Sequence, residues 1–206
     1  MSGKLNALFT QGPKNFLQVV PVGVGGNLAG GAKCPAVGKY DFDLSYPTSE
    51  DKTKDVVAGL ALLKLFDEAY SARTEPLHAY WLPWESGRTT QITLGDEAPY
   101  FFTSALAGCR IQLAGNTVCH IAGDTGGRDG SGPGGQAWRE KQAKEKLGPD
   151  YALSRKLSQD EYGDYGFFAG IRTGKNWSFI LQRKETKDGK WVLEKAEEVL
   201  GGSFDF

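Results

Sequence analysis

The sequence predicts an α+β fold, in the form of a mixed or antiparallel β-sandwich flanked by helices. Three observations lead to this prediction: segments of strand type are frequent, helical signals are few, and strands and helices do not alternate regularly along the chain. The chain has 206 residues, a length that fits one domain with a substantial core. We therefore expect residues 1–206 to form a single domain.

The N-terminal region carries two strand signals separated by glycines. The segment NFLQVVPV is apolar and rich in β-branched residues, and apolar and polar side chains alternate from Tyr40 to Ser45, which is the period of a half-buried strand. The stretch GVGGNLAGGAKCPAVGK between them invites comparison with a phosphate-binding loop. Neither Lys33 nor Lys39 has the neighbours that this motif requires, so we interpret the stretch as a turning loop.

Two segments have helical signals. The stronger one runs from Thr48 to about Ala72, with a Ser/Thr cap, acidic residues in the first turn and an apolar stretch from Val56 to Phe66. This stretch is longer and richer in Leu and Ala than a typical strand, so we predict a well-covered helix. A second, more polar helix is predicted in QAWREKQAKEKL, ending at Gly148-Pro149.

Strand signals return after the first helical segment. They occur in HAYWLPW, TTQITL, APYFFTSAL, CRIQL and TVCHIA, and again in YGFFAGIR and NWSFILQRKET. Asp188-Gly189 is a favourable turn between NWSFILQRKET and KWVLEKAEEVL, so a hairpin is expected there. Residues Gly123 to Gly135 include seven glycines and one proline, a composition typical of an exposed connection.

Charge and hydropathy exclude some classes of partner. The 24 Lys and Arg residues nearly balance the 25 Asp and Glu residues, for a net charge of −1, so the whole chain has no electrostatic preference for nucleic acid or an anionic membrane. No apolar run is long enough to span a bilayer, and Gly12-Pro13 interrupts the first apolar run before it reaches the length of a signal sequence. We expect a soluble protein made in the cytoplasm without a signal peptide.

The cysteines point to chemistry other than disulfides. There are three of them, an odd number, and their spacing fits neither a disulfide framework nor a four-ligand zinc site, so we expect at least one thiol and no metal. Cys109 and Cys119 lie with His120 in the segment from Tyr100 to Asp124. This segment offers the parts of a cysteine hydrolase: a thiol, a base, a group that orients the base, and backbone N–H groups for an oxyanion.

The length of the loop in CRIQLAGNTVCH decides whether the Cys109 thiol has a histidine on its face. If the segment is a β-hairpin with an even-numbered loop, Ile111 faces His120, and His120 shares a face with Cys109, one step diagonal to it. An odd-numbered loop instead pairs Ile111 with Cys119 and turns His120 to the opposite face. Gly115-Asn116 is among the dipeptides that favour a two-residue turn, which favours the even loop.

The backbone before the thiol is a candidate oxyanion hole. Ala107-Gly108 allows close approach of a substrate, so the N–H groups of Gly108 and Cys109 are the candidate donors. The alternative for Cys109 is a buried apolar role, since cysteine is among the most buried residue types. Cys119 is expected in the core, and Cys34 lies in the glycine loop without a nearby base.

The remaining histidine and the tryptophans beside it are expected to be structural. His78 is more typical of a strand residue with satisfied hydrogen bonds than of a second base. Trp81 and Trp84 flank Pro83 and fit strand alternation poorly, so we expect them to pack near the site rather than to stack on a substrate.

Several motifs in this region resemble a known family. WLPWESG, followed by YFFTSALAGCRIQLAG and CHIAGD, resembles the Burkholderia lethal factor family of glutamine deamidase toxins. The match is dense from about Tyr80 to Asp124 and thinner in FLQVVPVGVGG and YGFFAGIRTGKNWSFILQRKET, while Thr48 to Ala72 looks like an insertion. More distantly, the spacing of Thr103 and Cys109 resembles the chemoreceptor deamidases, and the Cys-His pair resembles the cytotoxic necrotizing factors. The resemblance implies a deamidase-toxin-like form of the predicted sandwich.

The resemblance also implies roles for individual residues. It makes Cys109 the nucleophile, His120 the general base and acid, and Thr103 the residue that orients the imidazole. Ala107 stands where the family usually has Ser, and the Cys-to-His spacing looks one residue shorter than in the founding member. One residue more or less in a loop can turn a strand over, but the present spacing already suits an even-looped hairpin.

The function that the resemblance implies is protein glutamine deamidation without a cofactor. The family's target is the eukaryotic translation-initiation DEAD-box helicase, so we expect a monomeric toxin or effector that acts in the host cytosol on a protein with an accessible Gln. Direct binding to nucleic acid or membrane is not expected. Two alternatives remain: a cysteine peptidase or transglutaminase-like enzyme with the same residues, and a non-catalytic binding module in which Cys109 is buried and unreactive.

Overall fold

Two β-sheets make up most of the structure. The computed structural model describes residues 3–29, 34–48, 60–67, 75–122, 135–188 and 190–199. The strands within these ranges are β1 (Val22–Val24), β2 (Gly38–Ser45), β3 (Ala61–Leu65), β4 (Leu77–Leu82), β5 (Thr89–Thr93), β6 (Tyr100–Thr103), β7 (Arg110–Ala114), β8 (Thr117–Ile121), β9 (Arg155–Leu157), β10 (Tyr165–Thr173), β11 (Asn176–Lys187) and β12 (Lys190–Val199). The α-helices are α1 (Gly3–Gln11), α2 (Pro13–Val19), α3 (Gln136–Leu147) and α4 (Gln159–Tyr162), with 3₁₀ turns at Gly26–Ala29 and Gly148–Leu153.

The larger sheet is mixed and strongly curled. Its strand order is β1-β3-β2-β4-β6-β10-β11-β12, with parallel pairing of β1 to β3 and of β4 to β6 and antiparallel pairing elsewhere. Although five strands separate β1 from β11 in this order, the two meet: the Val22 N–H donates to Gln182 Oε1 over 2.8 Å. The Gln182 side-chain amide also donates to the carbonyls of Leu17 and Val20. The sheet therefore closes on itself around helices α1 and α2.

The smaller sheet is antiparallel and covers one face of the larger one. Its order is β5-β8-β7-β9. The core between the sheets combines residues of β4, β6, β10 and β11 with residues of β7, β8 and β9: Tyr80, Leu82, Phe101, Phe168, Trp177, Phe179, Leu181, Ile111, Leu113, Val118 and Leu157. Helix α3 packs on the outer face of the smaller sheet through Ala143 and Leu147. The order of layers is helices, large sheet, small sheet, helix, and the predicted α+β class is confirmed.

The predicted helix between Thr48 and Ala72 is wrong where the structure describes it. Residues 49–59 and 68–74 lie outside the described residues, but Ala61–Leu65 is strand β3, paired with β1 on one side and β2 on the other. Ala61, Leu62 and Leu63 are all buried. A strand covered on both faces has a continuous apolar sequence, so periodicity does not distinguish it from a buried helix.

The strand predicted in NFLQVVPV is also largely wrong. Residues Pro13–Val19 form helix α2, and strand β1 begins only at Val22. Pro13 lies in the first turn of the helix, where its missing N–H costs nothing. Phe16 and Leu17 point into the curl of the large sheet and are buried there, so tertiary packing outweighs the β-branched composition.

Most other predicted elements are present. Strand β2 contains the YDFDLS segment, although Asp43 is buried against the expected alternation. Helix α3 spans QAWREKQAKEKL and ends at Gly148, and β11 and β12 form the hairpin expected at Asp188, whose φ is 52°. Residues 123–134 of the predicted glycine-rich connection lie outside the described residues. None of the helices that the structure describes has the length and hydropathy of a membrane span.

Candidate active site

The hairpin of β7 and β8 has the even-numbered loop. Ile111 pairs with His120 and Leu113 with Val118, with Gly115 and Asn116 as the two loop residues. Gly115 has a φ of 56°, a conformation that costs glycine little and other residues more. The Asn116 side chain donates to the Leu94 carbonyl over 2.6 Å, which attaches the turn to the segment after β5.

This register separates the two cysteines of the hairpin region. Cys109, directly before β7, belongs to the same buried cluster as Ile111, between the two sheets. Cys119 belongs to the cluster on the outer face, against Ala143 and Leu147 of α3. Burial raises the pKa of the Cys119 thiol to about 12, so this thiol is protonated at neutral pH. The three cysteines of the chain are all described, and none is in a disulfide.

Thr103 and His120 are in direct contact across the two sheets. Thr103 is the last residue of β6 in the larger sheet, and its Oγ1 lies 2.7 Å from Nδ1 of His120 on β8 in the smaller sheet. Thr103 Oγ1 also donates to the Leu82 carbonyl over 2.7 Å. A hydroxyl has one hydrogen, and a carbonyl can only accept. Nδ1 therefore carries the imidazole hydrogen and donates it to Thr103, which leaves Nε2 with a lone pair.

The imidazole of His120 is neutral and buried. Its exposed fraction is 1 %, and burial lowers its pKa to about 3. Among the described residues, Nε2 has no hydrogen-bond partner. A buried polar atom without a partner costs about 1–3 kcal/mol, and most buried polar atoms avoid this cost by pairing. The ring is thus held as the tautomer with a basic Nε2, and that nitrogen is open to a proton donor.

Cys109 lies on the same face of the hairpin as His120. His120 pairs with Ile111, and Cys109 is two residues before Ile111 on the same strand side. Its exposed fraction is 3 %. Within the described residues Nε2 makes no hydrogen bond to the thiol; the two residues are diagonal neighbours, a separation that side chains can close. Catalytic hydrogen bonds are often long before substrate binds, so this geometry is compatible with a thiol-imidazole pair.

The backbone before Cys109 has an unusual conformation. Gly108 has a φ of 82°, and a Cβ at this position would meet no described residue within 4 Å, which leaves space beside the backbone in this part of the structure. Ala107 is exposed. The candidate oxyanion donors at Gly108 and Cys109 therefore lie where the buried thiol comes nearest to the surface.

Tyr162 supports this segment from helix α4. Its hydroxyl donates to the Cys109 carbonyl. Burial raises the pKa of Tyr162, and a hydrogen bond between its hydroxyl and the Gly108 backbone opposes this by lowering the pKa. Sequence reasoning missed Tyr162 because the residue lies 53 positions after Cys109 in a segment without a recognisable motif. The Leu82 carbonyl was missed for a related reason, since any residue can supply a backbone acceptor.

Arg110, the residue after Cys109, attaches the start of β7 to α3. It is 1 % exposed and donates from both Nη1 and Nη2 to Glu140 Oε2 over 3.0 Å, and from Nε to Gln112. Each of its nitrogens thus has an acceptor, as a buried guanidinium requires. The backbone at Cys109 is thus fixed by the Tyr162 bond to its own carbonyl and by the ion pair of the next residue.

The other candidate residues are outside this cluster. His78 is exposed, and its Nδ1 lies 2.8 Å from Asp41 Oδ1. Trp81 is fully buried and its Nε1 donates to the Pro35 carbonyl. It packs in the core as expected, but in a different cluster from the one that contains Cys109. Within the described residues, no group of three His, Cys, Asp or Glu side chains could hold a metal ion.

Comparisons with known protein families and curated proteins identify no relative of this chain.

Proposed function

We propose that this protein is a protein glutamine deamidase with Cys109 as nucleophile, His120 as general base and acid, and Thr103 as the residue that orients the imidazole. The observation that carries the proposal is the bond between Thr103 Oγ1 and His120 Nδ1, 2.7 Å long. The resemblance to the Burkholderia lethal factor family singles out Thr103 without any structure, and a contact between that residue and the imidazole supports the resemblance. A deamidase-toxin-like identity of the sandwich is part of this proposal.

The mechanism is acyl transfer to water. Nε2 of His120 takes the thiol proton of Cys109, and the thiolate attacks the side-chain amide carbon of a glutamine while the N–H groups at Gly108 and Cys109 hold the oxyanion. The imidazolium then returns the proton to the departing ammonia, and a thioester remains. Nε2 next takes a proton from water, whose oxygen attacks the thioester. The C–S bond breaks, the imidazolium returns its proton to the Cys109 sulfur, and the thiol is regenerated, so glutamine and water yield glutamate and ammonium.

Because His120 is buried, its protonated form needs a negatively charged group nearby. Since burial lowers the pKa of His120 to about 3, an isolated imidazolium is unfavourable between the sheets. A thiolate at Cys109 provides the opposite charge nearby, which favours the imidazolium. Proton transfer from Cys109 to His120 is therefore expected as a coupled step, on the approach of a substrate that excludes water.

The substrate is a glutamine in an exposed segment of a host protein. Conversion to glutamate places a negative charge where the target had a neutral amide, and such a charge disrupts a buried or tightly packed contact. The family that the chain resembles acts on the eukaryotic translation-initiation DEAD-box helicase, which is the first candidate target. We propose accordingly a toxin or effector that acts in the host cytosol without a cofactor.

The test is Cys109-dependent deamidation. Host-cell extract is incubated with the protein, with Cys109→Ser and with Cys34→Ser as a matched control, and peptides are searched by mass spectrometry for glutamine converted to glutamate. We expect conversion with the unchanged protein and Cys34→Ser, and none with Cys109→Ser. Cleaved peptide bonds would instead indicate a peptidase, and incorporation of an added primary amine would indicate a transglutaminase. Absence of both conversion and ammonia release would contradict the proposal.

One observation favours a non-catalytic binding module as the second candidate. Cys109 is only 3 % exposed, and an unreactive buried thiol is what that alternative predicts. Alkylation by iodoacetamide distinguishes the two. A catalytic thiol is expected to react at a pH-dependent rate that His120→Ala lowers, whereas a core thiol reacts slowly at every pH below its own pKa, whether or not His120 is present.

A further inference from the structure

A cavity opens where the curled large sheet meets itself. Its volume is about 190 Å³, which corresponds to the liquid volume of about six water molecules. Val24 of β1 and Leu60 and Leu62 around the start of β3 form its apolar wall, and Trp191 of β12 and Tyr165 of β10 form its aromatic wall. Tyr165 is 40 % exposed, so the aromatic wall reaches the surface.

Among the described residues that line this cavity, one has a charged side chain. Lys184 of β11 is 5 % exposed, and it is the one buried lysine among the described residues. Its Nζ donates to the Val22 carbonyl over 2.7 Å, and no described carboxylate lies within ion-pair distance of it. An ammonium has three hydrogens, so two of them have no acceptor among the described residues. Burial lowers the pKa of Lys184 to about 8.

Lys184 also bonds β11 to β1 through the Val22 carbonyl, but closure of the sheet does not require a charged side chain here. The neutral side chain of Gln182 already joins β1 to β11, by accepting from the Val22 N–H and donating to the carbonyls of Leu17 and Val20. A buried cation without an anion is costly, and an apolar residue of similar length would fill the space without that cost. An anion bound in the cavity would compensate the charge of the ammonium and accept its remaining hydrogens.

We propose that this cavity binds a small carboxylic acid with an apolar body, its carboxylate on Lys184 and its body between Trp191 and the leucines. The carboxylate accepts the hydrogens that Val22 does not use, and the apolar walls provide burial for the rest of the ligand. The volume limits the ligand to about one ring with a short chain. The inference is independent of the proposed deamidase function, since it involves neither Cys109 nor His120.

The test compares three ligands of the same shape. Phenylacetate, phenylacetamide and phenethylamine carry an anion, a neutral amide and a cation on similar bodies, and their binding is followed by Trp191 fluorescence and by isothermal titration calorimetry. We expect phenylacetate to bind at least tenfold more tightly than the other two, and its affinity to fall as the pH rises above the Lys184 pKa of about 8. Equal affinities, or no saturable binding by any of the three, would overturn the proposal.

Two lysine variants on the same strand sharpen the test. Lys184→Met removes the charge but keeps the length of the side chain, and Lys187→Met does the same at an exposed position of β11. Lys184→Met is expected to lose the preference for phenylacetate, and Lys187→Met to keep it. Retention of the preference in Lys184→Met would contradict the proposal. If Lys184→Met does not fold, the three-ligand comparison on the unchanged protein still decides the question.

Discussion

The hydroxyl of Thr103 determines which nitrogen of His120 can act as a base. It donates to the Leu82 carbonyl and accepts from Nδ1, so a side chain that cannot accept a hydrogen bond leaves the imidazole without a fixed tautomer. The Thr103–His120 contact thus links a backbone carbonyl of one sheet to the basic nitrogen of the other. The resemblance predicts Thr103 and strand alternation predicts His120, but neither predicts the role of the Leu82 carbonyl.

Replacement of Thr103 tests this at the level of one residue. Thr103→Val keeps the shape of the side chain and removes the hydroxyl. We expect the deamidation rate to fall at least about 100-fold, as when the group that orients a catalytic histidine is removed. The free energy of unfolding is expected to fall by about 1–3 kcal/mol, because Nδ1 loses its acceptor. Thr103→Ser keeps the hydroxyl and is the matched control. Nitrogen NMR of His120 gives the tautomer directly. An unchanged tautomer and rate in Thr103→Val would contradict the assignment.

The burial of His120 predicts a pH dependence of stability. Its folded-state pKa of about 3 lies below the unfolded value of about 6.5, so between these values the unfolded state binds the extra proton. Stability is therefore complete above about pH 6.5 and falls as the pH drops toward 3, by up to about 1.4 kcal/mol per pH unit from this group. Denaturant unfolding of the unchanged protein and of His120→Gln measures the difference. Parallel pH curves for the two would show that His120 is accessible to protons in the folded state.

At the scale of elements, the β7-β8 hairpin controls the site through its loop length. Two residues, Gly115 and Asn116, place His120 on the face of Cys109. The side chains of a strand alternate, so a change of one residue in pairing register moves each side chain to the other face. The sequence predicts this even-numbered loop, because the dipeptide Gly115-Asn116 favours a two-residue turn.

Insertions in this loop test the role of parity. One glycine inserted after Asn116 makes the loop odd, so we expect loss of deamidation by more than about 100-fold as His120 turns away from Thr103. Two inserted glycines restore an even loop and are the control, with most activity retained, since a longer loop alone costs little. Deamidation rates and circular dichroism are the measurements. Similar activity of both variants would indicate that a β-bulge absorbs the odd residue.

At the scale of the whole molecule, side chains close the curled sheet, since the described strands β1 and β11 are joined by hydrogen bonds of the Gln182 and Lys184 side chains. Gln182 bonds to Val22, Leu17 and Val20, which lie about 160 positions before it. Leu17 is in helix α2, Val20 directly follows that helix, and Val22 begins β1. These bonds hold the first segment of the chain against β11. The cavity with Lys184 lies in the same junction, so closure and the proposed anion site share one part of the fold.

Gln182→Leu tests this closure. The change leaves one backbone N–H and two carbonyls without their partner in a buried place, so we expect a loss of about 3 kcal/mol in the free energy of unfolding. Gln159→Leu, at an exposed position in α4, is the control and is expected to change stability by less than about 0.5 kcal/mol. Urea unfolding measures both. Equal stability of the two variants would show that the sheet is closed by other contacts.

The sequence by itself determined what depends on short-range sterics and periodicity. The Gly115-Asn116 turn, the separation of Cys109 from Cys119, helix α3 with its end at Gly148, and most strands follow from residues within a few positions of one another. Only the tertiary structure decided features that depend on covering both faces of an element or on contacts between distant segments. Ala61–Leu65 is a strand because β1 and β2 flank it, and the hydrogen bond of Thr103 to His120, the support of Cys109 by Tyr162 and the burial of Lys184 exist only because the sheets pack and curl.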